Sequence, residues 1–286
     1  MVTGGTILLR MRGYTDLTGA GAAVRLEGCE IVRLSGQDAE SWLQGQVTND
    51  LRRLEVAPFV DACLTKPTGQ IVAELRIWRD ERCLAVWTTD ADAIERRVEQ
   101  FVIMEDVALD RVSHEVWTWQ STTPVPGGHD SPRIAPFGRD FPARPEGVPE
   151  ADTEAWLTVC LEHGLPVVGL DSDATTLPPE LGARFERDHV AYDKGCYVGQ
   201  EVLQRIHSRG HTNRTWVVLM AEAALTVGAE TRADGVVVGR VTRVCESPRF
   251  GHLAGAVHLN RASAVGSLVE VGGTAARVVD PPASVL

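Results

Sequence analysis

One octapeptide, Lys194 to Glu201, constrains the local fold more than any other stretch of the chain. Lys194 and Cys196 are two residues apart, so an extended backbone places both side chains on one face of a strand. Gly199 permits a tight bend or a close backbone approach. From there an apolar stripe at helical spacing continues until Gly210, which favours a helix that ends at that glycine. The sequence therefore predicts a strand that turns into a helix.

This geometry would place the thiol of Cys196 between the ammonium group of Lys194 and the N-terminus of a helix. Both neighbours favour a thiolate. Two interpretations remain open, because a free cysteine is more often a small buried apolar side chain. The fixed frame of the octapeptide favours the reactive thiol, with access to solvent or to a ligand cavity.

The residues before the octapeptide mix strands and helices without regular alternation. In chain order the predicted elements are a hairpin at 23–34, a helix started by a capping box at Ser35–Asp38, a hairpin at 59–78, a strand at 83–87, a helix capped by Asp90 or Asp92, and strands near 107–112 and 116–119. Such a mixture is typical of an α+β protein with antiparallel sheets.

The remaining chain divides into three stretches. Proline and glycine are dense between 121 and 150, which indicates either a linker or an irregular part of a middle domain. A helix is predicted at 154–163 with Thr153 as its cap. After Gly210, short strands separated by glycine turns predict a small β-barrel or jelly roll. We expect domains at 1–120, 121–208 and 209–286.

Glu162 is unusual because it falls in the last turn of the predicted helix at 154–163. A carboxylate is poorly placed at the negative end of a helix dipole. The side chain is either solvated or reserved for a ligand that offers N–H donors.

Charge and cysteine spacing exclude several classes of function. The formal net charge of -11 argues against direct binding to nucleic acid or to an anionic membrane. No stretch is long enough to span a bilayer, and we expect no signal peptide within Met1 to Gly13. The six cysteines are scattered without a Cys-x-x-Cys pair, so we predict no zinc or iron–sulfur site within the chain and a cytoplasmic location.

The octapeptide closely resembles the K-G-C-Y-x-G-Q-E signature of the YgfZ-type folate-binding proteins, relatives of the glycine-cleavage T-protein, an aminomethyltransferase. The resemblance extends from about Ile31 to Val279. It implies a three-domain, cloverleaf-like fold with tetrahydrofolate as the cofactor. It also implies a role in the assembly or repair of iron–sulfur enzymes, including enzymes that modify tRNA. The implied partners are folate, iron–sulfur enzymes and assembly proteins.

The resemblance also assigns roles to individual residues. Cys196 becomes the reactive group and Lys194 the cation that stabilises its charge. Leu161-Glu162-His163-Gly164 is similar to the L-E-A-G segment of T-proteins, whose glutamate holds the pterin ring, so Glu162 is expected to anchor the pterin. Arg214 either approaches the folate tail or is solvated. The implied cofactor-binding residues are Glu162, Tyr197, Gln200, Glu201, Arg205 and Arg214.

One departure from the T-protein pattern bears on activity. T-proteins have a G-G-x-x-D-D segment that contains their catalytic aspartate, whereas this chain has Ala73 and Glu74 in place of the aspartates. Alanine cannot transfer protons, and glutamate displaces its carboxylate by one methylene. We therefore favour a non-enzymatic accessory protein. The alternatives are a true aminomethyltransferase and a folate-free binding module.

Overall fold

A computed structural model describes residues 11–259 and 263–281. The predicted absence of a signal peptide mostly concerns residues 1–10, which lie outside the described residues. The helices are α1 Tyr14–Thr18, α2 Ala39–Gln44, α3 Ala91–Phe101, α4 Thr153–Glu162, α5 Ala183–His189 and α6 Gln200–Arg209, with 3-10 turns at Leu51–Glu55 and Pro178–Leu181. The strands are β1 Gly21–Leu26, β2 Glu30–Ser35, β3 Val60–Thr65, β4 Ile71–Asp80, β5 Cys83–Thr88, β6 Ala108–Ser113, β7 Val116–Ser121, β8 His129–Asp130, β9 Phe137–Phe141, β10 Glu150–Ala151, β11 Arg214–Ala221, β12 Glu230–Ala233, β13 Val236–Ser247, β14 Gly251–Leu259, β15 Leu268–Val271 and β16 Thr274–Val279.

These strands form two open sheets and a barrel. The first sheet has the order β3-β4-β5-β2-β6, and the second has the order β10-β1-β7-β9-β8. The strands β11 to β16 close into a barrel. The predicted α+β class and the C-terminal barrel are confirmed. Among the described helices, none is both long and apolar enough to cross a membrane.

The predicted hairpin at 23–34 is wrong in its pairing, although both strands exist. β1 pairs with β7 and β10 in the second sheet, whereas β2 pairs with β5 and β6 in the first. Val24 and Ile31 share one apolar core, while Val32 and Leu34 face another. The edges of β2 pair with β5 and β6, and its apolar side chains enter two different cores on the opposite faces of the first sheet.

Most other local predictions are confirmed to within a residue or two. The capping box predicted at Ser35–Asp38 is wrong, because α2 begins at Ala39 and its N-cap residue, Asp38, makes no capping hydrogen bond through its side chain. β3 and β4 form the predicted hairpin, and Gly69 N donates to Lys66 O at 2.8 Å in its turn. Asp90 caps α3 by accepting a hydrogen bond from Ala93 N at 2.8 Å. The helix at 153–162 begins one residue early, because Asp152 and not Thr153 accepts the capping bond from Ala155 N.

The second sheet crosses the expected domain boundary at 120. It takes β1 and β7 from the N-terminal side and β8, β9 and β10 from the irregular stretch that follows. That stretch therefore contributes strands to the sheet and is not a free linker. The barrel is joined to the same body by a buried ion pair, in which Arg243 Nη2 lies 2.8 Å from Asp171 Oδ2.

Candidate functional site

A cavity of about 1070 Å³ lies between the two open sheets and the helices α4 and α5. Its volume suits a ligand of drug or cofactor size. Aromatic side chains supply much of its wall: Phe59, Trp87, Trp156 and Phe185. Between them the wall contains two ion pairs that are buried or half-buried, and several charged groups that are exposed.

The best-defined pair is Arg76 with Asp61. Arg76 Nε and Nη2 donate to the two carboxylate oxygens of Asp61 at 2.5 and 2.7 Å, in a bidentate arrangement. Arg76 Nη1 donates to Ser131 Oγ at 2.8 Å, and the guanidinium lies 4.3 Å from the centre of the Phe59 ring. The guanidinium is thus held on three sides, which fixes its orientation in the cavity wall.

A second pair joins Glu74 and His189. The two groups approach to 3.2 Å between His189 Nε2 and Glu74 Oε1, while Nδ1 contacts Phe185 O at 3.0 Å. The imidazole also stacks on the Phe185 ring at 3.8 Å. Burial lowers the pKa of His189, but the hydrogen bond to Glu74 and the charge of Asp61 outweigh it and leave the pKa raised.

Further cations surround these pairs. Arg133 is bonded to Asp140 at 2.7 Å and lies 5.1 Å from the centre of the Trp87 ring. Exposed arginines also line the cavity: Arg25, Arg53, Arg184 and Arg187. Aromatic walls, carboxylates and surrounding guanidinium groups suit a flat ligand that has N–H donors at one end and anionic groups at the other.

Glu162 is fully buried, so its solvated interpretation is wrong. Its Oε1 accepts hydrogen bonds from Tyr14 Oη and from Ser247 Oγ, both at 2.6 Å. Oε2 has no hydrogen-bond partner within the described residues. Burial raises the pKa of this carboxyl group. Glu162 contacts α1 and the barrel and is not among the residues that line the cavity.

The octapeptide does not contain the predicted strand. Residues 190–199 form an irregular loop, and α6 then begins at Gln200 and ends before Gly210 as predicted. We call residues 190–199 the signature loop. Its path is set by bonds to a distant part of the chain: Val198 N donates to Gly45 O at 3.3 Å and Thr65 Oγ1 donates to Val198 O at 2.6 Å. Among the residues that the structure describes, no strand pairs with the loop.

Lys194 is buried and is directed into the protein. Its Nζ donates to the carbonyl oxygens of Gln44, Val47 and Asn49 at 2.6, 2.7 and 2.8 Å. The ammonium group also lies 4.9 Å from the centre of the Tyr197 ring. Burial lowers the pKa of Lys194 to about 8, which leaves the group mostly charged at neutral pH. Lys194 thus fastens the signature loop to the segment after α2.

Cys196 is exposed, in accord with the predicted access of its thiol to solvent. It therefore does not share the buried position of Lys194. Tyr197 is buried beside Val190 and Leu203, and its hydroxyl has no partner within the described residues. The predicted role of Lys194 as the partner of the thiolate stays a prediction.

The other predicted site residues are spread over the surface around α6. Glu201 and Arg205 form an exposed pair at 2.7 Å, one turn apart on α6, and Gln200 is the first residue of that helix. Arg214 is half-buried and pairs with Glu180 at 3.0 Å. None of the residues predicted as catalytic or cofactor-binding lines the cavity.

Sequence reasoning missed most of the charged groups of the cavity. Asp61 and Arg76 gave one signal, since each is a charged residue inside a strand that is otherwise mainly apolar. His189 and Arg133 gave none, because they lie at a helix end and in the irregular stretch after β7. In the sequence, Glu74 stands out only as a departure from the T-protein pattern.

Comparison with known proteins identifies relatives along most of the chain. The tRNA-modifying protein YgfZ of Sodalis glossinidius is 26% identical over 236 residues, which cover 70% of this chain and 72% of that protein. The tRNA-modifying protein YgfZ of Klebsiella pneumoniae is 24% identical over 271 residues, with coverage of 76% and 80%. No family model matches the chain.

The fold also has a solved counterpart. The glycine cleavage system aminomethyltransferase T from Bartonella henselae superimposes with a TM-score of 0.78 and 16% sequence identity, over 92% of this chain and 86% of that one. The resemblance and the T-protein-like fold that the octapeptide predicted are confirmed.

Proposed function

We propose that this chain, a relative of the YgfZ proteins with the fold of the glycine-cleavage T-protein, binds tetrahydrofolate in its cavity and supports iron–sulfur enzymes. The observation that carries the proposal is the cavity of about 1070 Å³ with its aromatic walls and paired charges. The relatives are named tRNA-modifying proteins, which supports client enzymes that act on tRNA. The proposed location is the cytoplasm.

The residues of the cavity fit the chemistry of a reduced folate. A pterin offers a ring N–H beside an amino group, and the Glu74 carboxylate is suited to accept from such donors. Phe59 and Trp87 provide flat apolar surface for the rings, and the surrounding arginines suit the glutamate carboxylates of the tail. When bound, tetrahydrofolate supplies a carrier for one-carbon units.

Calorimetry with tetrahydrofolate tests this placement through two carboxylates, the half-buried Glu74 and the fully buried Glu162. If the pterin lies against Glu74, then Glu74→Gln replaces an acceptor by a donor and weakens binding by about 2–4 kcal/mol, or about 30- to 1000-fold. Glu162→Gln should then leave the affinity unchanged. The reverse result would move the pterin to Glu162, the anchor that the sequence predicts. Glu270→Gln, which alters an exposed carboxylate of the barrel, is the matched control.

Cys196 is the proposed acting group towards client enzymes. An exposed thiol on a loop held by buried contacts is both accessible and fixed in position. Cys196→Ser should fold normally and retain folate, yet fail to restore iron–sulfur enzyme activity in cells lacking the protein. Cys83→Ser, at a partly exposed cysteine of the first sheet, should restore it fully. Full rescue by Cys196→Ser would make Cys196 a residue without a role in the chemistry.

A second candidate, the aminomethyltransferase, is favoured by one observation. Glu74 lines the cavity in contact with His189, so a group able to transfer protons does face the ligand space. Ala73 is fully buried and supplies none. We expect only trace activity in a glycine-dependent methylene-transfer assay with lipoyl carrier protein. Turnover of about 1–1000 per second, as in a typical enzyme, would establish the second candidate instead.

A further inference from the structure

We propose that the surface between the C-terminal end of α3 and the signature loop is a docking face for a basic partner protein with an apolar cleft. The proposal rests on the proposed function in one respect, since it takes Cys196 as the group that acts on that partner. Four observations support the docking face. An apolar segment is exposed there, hydrogen bonds hold that segment in place, contacts connect the segment to the signature loop, and the surrounding charge is negative.

The apolar segment follows directly on α3. Phe101, Ile103 and Met104 are 44%, 85% and 93% exposed, and we call these three residues the apolar tip. Val102, between them, packs instead against the core of the first sheet. Single exposed apolar residues are common, but three large ones within four positions mark a candidate interaction site.

The apolar tip is fixed in position. Glu105 Oε2 accepts hydrogen bonds from the backbone N–H groups of Ile103 and Met104 at 2.9 and 3.1 Å. Asp106 N donates to Asp38 Oδ2 at 2.8 Å, and Asp38 N donates to Asp106 O at 3.1 Å. A segment that is ordered before binding loses less conformational entropy when a partner covers it.

Arg97 connects the apolar tip to the signature loop. Its guanidinium lies 5.5 Å from the centre of the Phe101 ring and donates to Thr65 O at 2.8 Å. Thr65 Oγ1 donates to the carbonyl of Val198, two residues beyond the exposed Cys196. A standard interface buries about 800 Å² on each partner. We expect one partner of that size to contact both the apolar tip and the thiol.

The charge around the apolar tip decides which partner fits. Glu99, Glu105 and Asp106 are exposed beside it, while the cation in contact with the tip, Arg97, is half-buried. The last turn of α3 contains no basic residue that would compensate the negative end of the helix. A second copy of this chain is disfavoured, because each copy has a formal net charge of -11. A partner that surrounds its apolar cleft with lysine or arginine is complementary in both shape and charge.

Site-specific photo-cross-linking of the full chain in cells tests the docking face. The photoreactive residue replaces Met104 in one variant and Glu201, 83% exposed on α6, in another. The control position is Leu268, an exposed apolar residue of the barrel. We expect adducts with the same basic protein at 104 and 201, identified by mass spectrometry, and none at 268. Different partners at the two positions, an adduct of two copies of this chain, or no adduct would overturn the proposal.

Surface variants give a second measurement. Ile103→Ser combined with Met104→Ser, and separately Glu99→Lys, should each reduce the adduct at 201 about tenfold, equivalent to about 1.4 kcal/mol. Glu222→Lys, an exposed carboxylate of the barrel, should not reduce it. An undiminished adduct in both tip variants would also overturn the docking face.

The two proposals can fail separately. Tip variants should bind tetrahydrofolate like the unmodified chain, which also shows that they are folded. If the unmodified chain binds no folate, the cavity proposal fails while the cross-linking result stands. If Cys196→Ser restores client activity while the adducts persist, the role of the thiol fails and the docking face remains.

Discussion

The cavity and the signature loop both contain buried cations, but their partners differ. In the cavity Arg76 is paired with the side chain of Asp61, and His189 with the side chain of Glu74. In the signature loop Lys194 is bonded to backbone carbonyl oxygens alone. A side-chain pair orients polar groups towards a ligand and can be altered at either partner. A lysine held by carbonyls orients the backbone, and only its own substitution removes the contact.

The largest expected effect on the free energy of unfolding comes from removing the buried ion pair of the cavity. Arg76→Met leaves the Asp61 carboxylate buried without its cation and should lower the free energy of unfolding by about 3–5 kcal/mol. Urea denaturation at pH 7 measures it. Arg79→Met is the matched control, because its pair with Glu40 is about half exposed on both sides and should contribute at most about 1 kcal/mol. Equal effects of the two variants would contradict a structural role for the buried pair.

An intermediate effect is expected in the signature loop. Lys194→Met leaves the three carbonyl oxygens without their donor and should lower the free energy of unfolding by about 2 kcal/mol. Alkylation of Cys196 against pH, in a variant that keeps only this cysteine, separates the two roles of Lys194. A role in anchoring the loop predicts loss of stability with the alkylation rate of the thiol unchanged at each pH. A slower alkylation at neutral pH in Lys194→Met would restore the predicted role as a thiolate partner.

The smallest expected effect is a pH dependence of the free energy of unfolding, which arises from His189 in the cavity. The pKa of His189 is raised in the folded protein, so the histidine binds its proton more tightly folded than unfolded. Its stabilising contribution is therefore complete below the unfolded value of about 6.5 and is lost as the pH rises through the folded value, at a slope of at most about 1.4 kcal/mol per pH unit. Unfolding free energies at a series of pH values should show this decline in the unmodified chain and not in His189→Gln. His114→Gln, at an exposed histidine, should keep it.

The candidate site was partly predictable, and the reason is the range of the contacts involved. The octapeptide predicted α6 and its end at Gly210, which depend on neighbouring residues, and it favoured an accessible thiol, which the tertiary structure decided. It did not predict the partners of Lys194, which lie 145 to 150 positions earlier in the chain. The Glu74–His189 contact, 115 positions apart, was equally inaccessible to a local pattern.

The sequence by itself determined much of the secondary structure, although not the path of the octapeptide, together with the C-terminal barrel and the resemblance to the YgfZ proteins. Capping residues, alternation and glycine turns act within a few positions, so they can be read along the chain. Only the tertiary structure decided that β1 and β2 separate into different sheets and that Glu162 is sealed between α1 and the barrel. It also decided that Lys194 is bonded to carbonyl oxygens. Burial and pairing depend on which distant surfaces meet, and local sequence does not specify that.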